Sequence, residues 1–204
     1  MPTNKGKFIV FEGLDHTGKS TQIVLAEQWL QEHGVKTVRF REPGGTKIGE
    51  RIRELLLDRG EEMLFETEML LFFASRMQLA DERVNDALEA GTTVLLDRYY
   101  YSTAAYQGQF LSQGMGFVMK LAGELKLPVP DLVICLDGDP DVLAKRHTGP
   151  SDRIEAKGVE YQKNVRRGYQ DMAVTRPEFR LVDATPAPDQ VAGDIARLLE
   201  DAFL

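Results

Sequence analysis

Apolar positions along the chain follow two different periods. Short runs rich in Val, Ile, Leu and Phe at 8–11, 35–40, 92–96, 132–136 and 179–182 have the length and residue types of strands. Between them, apolar residues return every three or four positions, which predicts amphipathic helices over 21–32, 48–57, 67–90, 158–174 and 188–203. A further helical region covers 102–125, broken near Gly114 and Gly116, and another opens at Asp139-Pro140 with proline suited to a first turn. Gly34 and Gly91 follow two of these patterns where a C-cap belongs. Strands that alternate with helices form a parallel sheet covered on both faces. The expected fold is therefore α/β: one three-layer α/β/α domain over 1–204 with a five-stranded parallel sheet.

Composition narrows the partners. Hydrophobic residues make up 43% and charged residues 28%, ordinary for a globular protein, while the formal net charge of −7 argues against general binding to nucleic acid or acidic membranes. No apolar run is long enough to span a bilayer, and residues 1–7 lack the charged-then-apolar layout of a signal peptide. The one cysteine, Cys135, sits inside the apolar run 131–136 and reads as a core residue rather than a nucleophile. A reducing, cytoplasmic setting is the expectation.

The chemistry starts directly after the first strand. Gly13, four residues, then Gly18-Lys19-Ser20 fits the phosphate-binding loop (P-loop) pattern, and it has the strand before it and the helix after it that the pattern requires. Glycines let successive N–H groups approach phosphate oxygens, and the helix N-terminus adds partial positive charge. The residues expected to hold a nucleotide triphosphate are Gly13, Leu14, Asp15, His16, Thr17, Gly18, Lys19, Ser20 and Thr21. Lys19 reaches the outer phosphates and the Ser20 hydroxyl serves Mg²⁺. Asp97-Arg98 ends the third strand, where ligands of open α/β sheets bind. There a carboxylate can hold Mg²⁺ directly or through water, and an arginine can grip a phosphate with two parallel hydrogen bonds. Phe72 and Arg76 share a helix face, as plain core or as a ring and a guanidinium for a nucleobase. Lys145, Arg146, Arg153 and Glu155 flank a Gly149-Pro150 loop, read either as solvated charge or as a mobile lid over roughly 146–156.

These stretches, with Arg41-Glu42-Pro43-Gly44-Gly45-Thr46, the run from Asp97 to Gln107, and Asp152-Arg153-Ile154-Glu155, resemble the thymidylate kinase family over nearly the whole chain. The resemblance implies an ATP- and Mg²⁺-dependent phosphorylation of dTMP to dTDP by a homodimer. It implies that Asp15 sits between donor and acceptor phosphates and that Arg53 and Arg98 bind the dTMP phosphate. Phe72 would stack on thymine, Arg76 would bond its edge, Pro43 would line the base pocket, and Tyr106 would lie against the sugar. Ser102, Thr103 and Gln107 would complete that site, Arg153 would be the lid cation and Arg146 would lie near adenine. The catalytic set is thus Asp15, Lys19, Arg98 and Arg153, with Ser20 and Asp97 for the metal. Two positions depart from the family pattern: His16 in the phosphate loop and Thr148 in the lid. Another nucleotide or nucleoside kinase, or a non-enzymatic nucleotide sensor, is the competing reading.

Overall fold

A computed structural model describes residues 5–60, 62–146 and 151–203. Its sheet has five strands, all parallel: β1 (Phe8–Gly13), β2 (Thr37–Arg41), β3 (Thr93–Asp97), β4 (Leu132–Asp137) and β5 (Phe179–Asp183), in the order β2-β3-β1-β4-β5. Side chains alternate across a strand, so the two faces can be read from β1 alone. Phe8 and Val10 join one buried cluster with Val94, Leu96, Val133, Cys135 and Phe179. Ile9 and Phe11 join the other with Leu95, Ile134 and Val182. On that second face lie α1 (Lys19–Glu32) and α9 (Pro188–Phe203), through Ile23, Ala26, Leu30, Val191, Ile195 and Leu199. The first face is covered by α3 (Phe65–Leu79), α5 (Tyr100–Tyr106), α6 (Gly114–Glu124) and α8 (Val159–Thr175). Cys135 is fully buried there, and burial pushes its thiol well up from the ordinary value, as a core residue requires.

Register brings three loops to one end of the sheet. Phe11 and Arg41 both pair with Asp97, and Gly13 pairs with Leu136, so the turns after β1, β2 and β3 emerge side by side. Within the turn after β1, Gly18 takes the left-handed conformation (φ 88°) and the helix begins at once, two residues before the position expected from periodicity. After β2, Thr46 caps α2 (Lys47–Leu57) by accepting a bond from the Gly49 amide. The helix expected over 67–90 runs instead as α3, a wider π-helical segment (Ala80–Val84) and α4 (Asn85–Glu89). Its apolar stripe is not all core: Leu70 is 59% exposed. The region 102–125 divides into α5, a 3₁₀ turn (Gly108–Phe110) and α6, and Gly116 lies inside α6. After β4 comes the short α7 (Pro140–Leu143), capped by the Asp139 side chain. Residues 1–4, and residues 147–150 of the expected lid with Thr148 and Gly149-Pro150, lie outside the described residues. Among the described residues, no helix is long and apolar enough to cross a membrane.

Candidate active site

Gly13 must be glycine twice over: its φ is 132°, and a Cβ would come within 2.4 Å of the Leu136 carbonyl oxygen. The loop closes with Thr17 Oγ1 donating to the Leu14 carbonyl at 2.9 Å. Lys19 Nζ folds back to donate to the carbonyls of Leu14 (2.7 Å) and Gly13 (3.2 Å). Burial first, and the neighbouring Arg98 charge second, push Lys19 down to about 8, against the pull of Asp15, Asp97 and Glu12. Lys19, Ser20, Thr21, Gly18 and Asp97 line one cavity of about 410 Å³. The Ser20 hydroxyl and Asp97 carboxylate are hard oxygen donors on that shared wall, a set that suits Mg²⁺, which takes one or two protein oxygens and completes its shell with water and phosphate.

Arg98 sits at the centre. Its backbone is left-handed (φ 67°), a strained state for a side chain of this size that surrounding bonds must hold. Its Nη2 donates to Asp15 Oδ1 at 2.5 Å, and its Nη1 donates to the Gly13 carbonyl (3.0 Å) and to Ser102 Oγ (3.1 Å). The guanidinium also lies over the Tyr106 ring, 5.1 Å from its centroid. Asp15 further accepts from the Tyr106 hydroxyl (3.2 Å) and Gln162 Nε2 (3.3 Å). Burial alone would raise the Asp15 pKa, but Arg98, then Lys19, outweigh it and the net shift is downward, so Asp15 stays ionised.

A second cavity, of about 220 Å³, opens on the other side of Asp15 and Arg98. Phe72, Pro43, Arg53, Arg76, Ser102, Thr103, Tyr106 and Gln107 all line it. The partner that buried Arg76 requires is Glu42, whose Oε2 accepts from Arg76 Nε at 2.6 Å; Arg76 Nη1 also donates to Thr103 Oγ1 at 3.2 Å. Burial pushes Glu42 up to about 7 although Arg76 opposes it. Glu42 Oε1 and Gln107 Oε1 are buried without a hydrogen-bond partner among the described residues. Such acceptors are costly left alone, and they mark the cavity as one that a polar ligand completes. Arg53 Nη1 donates to the Pro43 carbonyl at 3.1 Å across a cis Glu42–Pro43 bond. Asp15, Glu42, Arg53, Arg98 and Glu155 line both cavities, so the two meet at these five residues, with the cations Arg53 and Arg98 among them.

Not every expected residue is brought to the meeting point. Arg153 lines neither cavity; it donates to Glu68 Oε1 (2.5 Å) and to the Leu56 carbonyl (2.9 Å). Arg146 donates to the carbonyls of Ala184 and Thr185, beyond β5. His16 lines the first cavity with its Nε2 3.8 Å from Glu155 Oε1, and Leu14 is buried on a smaller third cavity.

The thymidylate kinase family model matches residues 11–195, a span that runs from the phosphate loop through the last strand into α9. The chain belongs to the thymidylate kinase family. Relatives that are similar over most of their length include the thymidylate kinase of Caldanaerobacter subterraneus subsp. tengcongensis, 42% identical over 88% of each chain. The thymidylate kinase of Pelotomaculum thermopropionicum is 41% identical over 98% of this chain and 97% of its own. That of Symbiobacterium thermophilum is 42% identical over 96% and 94%. Membership carries the reaction of a thymidylate kinase, phosphorylation of dTMP to dTDP.

Several residues of this thymidylate kinase site escaped sequence reasoning. Glu12, Glu42 and Glu68 are buried acids: Glu12 accepts from Ser102 and Tyr169, Glu42 from Arg76, and Glu68 from Arg153, Lys157 and Gln107. Glu12 was legible as an anomaly, a charge inside the apolar run 8–13 of a central strand, which must be paired when buried. Glu68 and Gln162 carried no such signal, because both fall on helices whose polar positions read as solvent-facing.

Proposed function

We propose that the cavity beside the phosphate loop takes ATP and Mg²⁺, that the cavity walled by Phe72 and Arg76 takes dTMP, and that the phosphoryl group passes between them at Asp15, Arg53 and Arg98. The observation that carries this reading is that Asp15, Arg53 and Arg98, with Glu42 and Glu155, line both cavities. A dTMP phosphate oxygen attacks the γ-phosphorus, and the bond from that phosphorus to the ADP oxygen breaks. The acceptor is already largely a dianion near neutral pH, so no general base is needed. What remains for the protein is alignment and neutralisation of charge, since the transfer has little covalent chemistry of its own. Lys19 and the loop amides hold the ATP phosphates; Arg53 and Arg98 hold the acceptor phosphate. Asp15 fixes the Arg98 guanidinium. Ser20 and Asp97 would hold Mg²⁺, which supplies charge neutralisation at the phosphate oxygens when bound.

In the acceptor cavity, Phe72 offers a ring face and Arg76 donates to a carbonyl on the base edge, while Tyr106, with Ser102 and Thr103 behind it, fills the side where a ribose would carry its 2′-hydroxyl. Residues 151–156 belong to a lid over a single domain, with Lys157 directly after it. Arg153 is its cation, and it enters the reaction by exchanging Glu68 for the charge on the transferring group while Lys157 stays on Glu68 as counter-ion. The protein acts in the cytoplasm as a homodimer. Lys19→Ala is expected to abolish turnover, Arg76→Ala to raise the KM for dTMP with the KM for ATP kept, and Arg153→Ala to lower kcat by roughly 10² to 10³. Steady-state kinetics with ADP detection reads all three, and equal effects of Arg76→Ala on both substrates would reject the division between cavities.

A further inference from the structure

Glu12 stands out among the acids of the molecule. It is fully buried in β1, and none of the ion pairs among the described residues includes it. A carboxylate in that position persists only if its oxygens are filled by hydrogen bonds. Four donors fill them. Oε1 accepts from the backbone amides of Tyr99 (2.8 Å) and Ser102 (3.1 Å); Oε2 accepts from Ser102 Oγ (2.6 Å) and the Tyr169 hydroxyl (2.8 Å).

All four lie around Arg98. Its own amide donates to the Phe11 carbonyl at 2.9 Å, and the next amide, that of Tyr99, donates to Glu12, so two successive β1 residues pin the left-handed turn from both sides. The side-chain bonds act on the guanidinium. Burial raises the Glu12 pKa, while Arg98 and the bonds from Ser102, Tyr169 and the Tyr99 amide oppose that shift. Ser102 and Tyr169 have one hydroxyl proton each and their oxygens lie 2.9 Å apart, so Glu12 Oε2 and the two hydroxyls form one closed network. That network faces Arg98 Nη1, which donates to Ser102 Oγ at 3.1 Å and to the Tyr169 oxygen at 3.5 Å.

We propose that Glu12 is a positioning residue for the acceptor phosphate: it holds the Arg98 turn and, through Ser102 and Tyr169, orients the guanidinium that grips dTMP. The inference rests on the assignment of Arg98 to the dTMP phosphate made above. Glu12→Gln separates folding from orientation. Glutamine can keep its oxygen on the two amides, but its NH₂ then faces the hydroxyls, a donor where the carboxylate accepted, so at least one hydroxyl proton loses its acceptor and the Ser102–Tyr169 pair that holds Arg98 Nη1 rearranges.

The test compares binding of dTMP and of thymidine, which has the same base and sugar and no phosphate, to the full chain by calorimetry. Glu12→Gln is expected to leave thymidine affinity unchanged and to lower the dTMP-to-thymidine affinity ratio roughly tenfold, the effect of weakening a charge-assisted bond. An unchanged ratio, or an equal loss for both ligands, overturns the proposal. Arg98→Ala is the control: if it fails to lower the ratio, the phosphate assignment itself falls, whereas a fall there without one in Glu12→Gln rejects Glu12 alone. Should Glu12→Gln not fold, Tyr169→Phe removes one of the two hydroxyls and is expected to lower the ratio roughly threefold; no change overturns the proposal just as well.

Discussion

Lys19 donates to two backbone carbonyls and is in none of the ion pairs among the described residues, and burial, then the Arg98 charge, brings it down to about 8 from 10.5. Because its pKa is lower folded than unfolded, the unfolded chain binds more protons between these values, and the Lys19 contribution to stability grows as pH rises from about 8 toward 10.5. A triphosphate reverses the balance, since it favours the charged amine. Nucleotide binding at about pH 8.5 is therefore expected to take up a proton, and binding at pH 7, where Lys19 is already charged, to take up much less. Calorimetry in buffers of different ionisation enthalpy measures this directly. Uptake that persists in Lys19→Met would assign the proton to another group. At this scale the sequence was informative wherever a residue type has a fixed backbone or charge role, as Gly13, Lys19 and Asp97 do. It was silent on bonds between distant side chains: the tie from Gln162 to Asp15 spans 147 positions, and nothing local encodes it.

The segment carrying Arg153 and Lys157 is fastened to α3 at the buried acid Glu68 and by Lys157 over the Phe65 ring. Glu68 is 0% exposed and takes Arg153, Lys157 and Gln107 together. Removal of one member of a buried ionic group leaves its partners uncompensated, so Glu68→Ala is expected to cost about 3–5 kcal/mol. In a chain of this length that lowers Tm by roughly 10 °C, read by thermal melting, and a fall of under about 2 °C would reject the anchoring role. Elements themselves were legible in outline, because period 2 and period 3.6 are properties of the buried faces. The ends were less so. Gly18 starts α1 through a left-handed turn that periodicity does not register, and the π segment at Ala80–Val84 changes the helix without any proline or glycine to announce it.

At the scale of the whole molecule, an acidic chain gathers Lys19, Arg53 and Arg98 on the cavity beside the phosphate loop, so local clustering overrides the net charge of −7. Ile48 and Leu55 on α2, Leu70 and Met77 on α3, and Leu64 just before α3 are large apolar side chains left exposed, the kind of residue that marks protein contact when it clusters. If this face joins the two chains of the proposed homodimer, Leu70→Asp places an unpaired charge in the contact and sedimentation should fall from twice the chain mass to the single mass. An unchanged sedimentation mass would exclude that face. Selection of dTMP as acceptor in one cavity, beside Mg-ATP in the other, is read from ADP release from Mg-ATP with dTMP, dUMP, dGMP, AMP, UMP and thymidine in parallel. The expected kcat/KM is highest for dTMP and near background for thymidine, which has no phosphate for Arg53 and Arg98. Comparable turnover with AMP or UMP, or with thymidine, would contradict it.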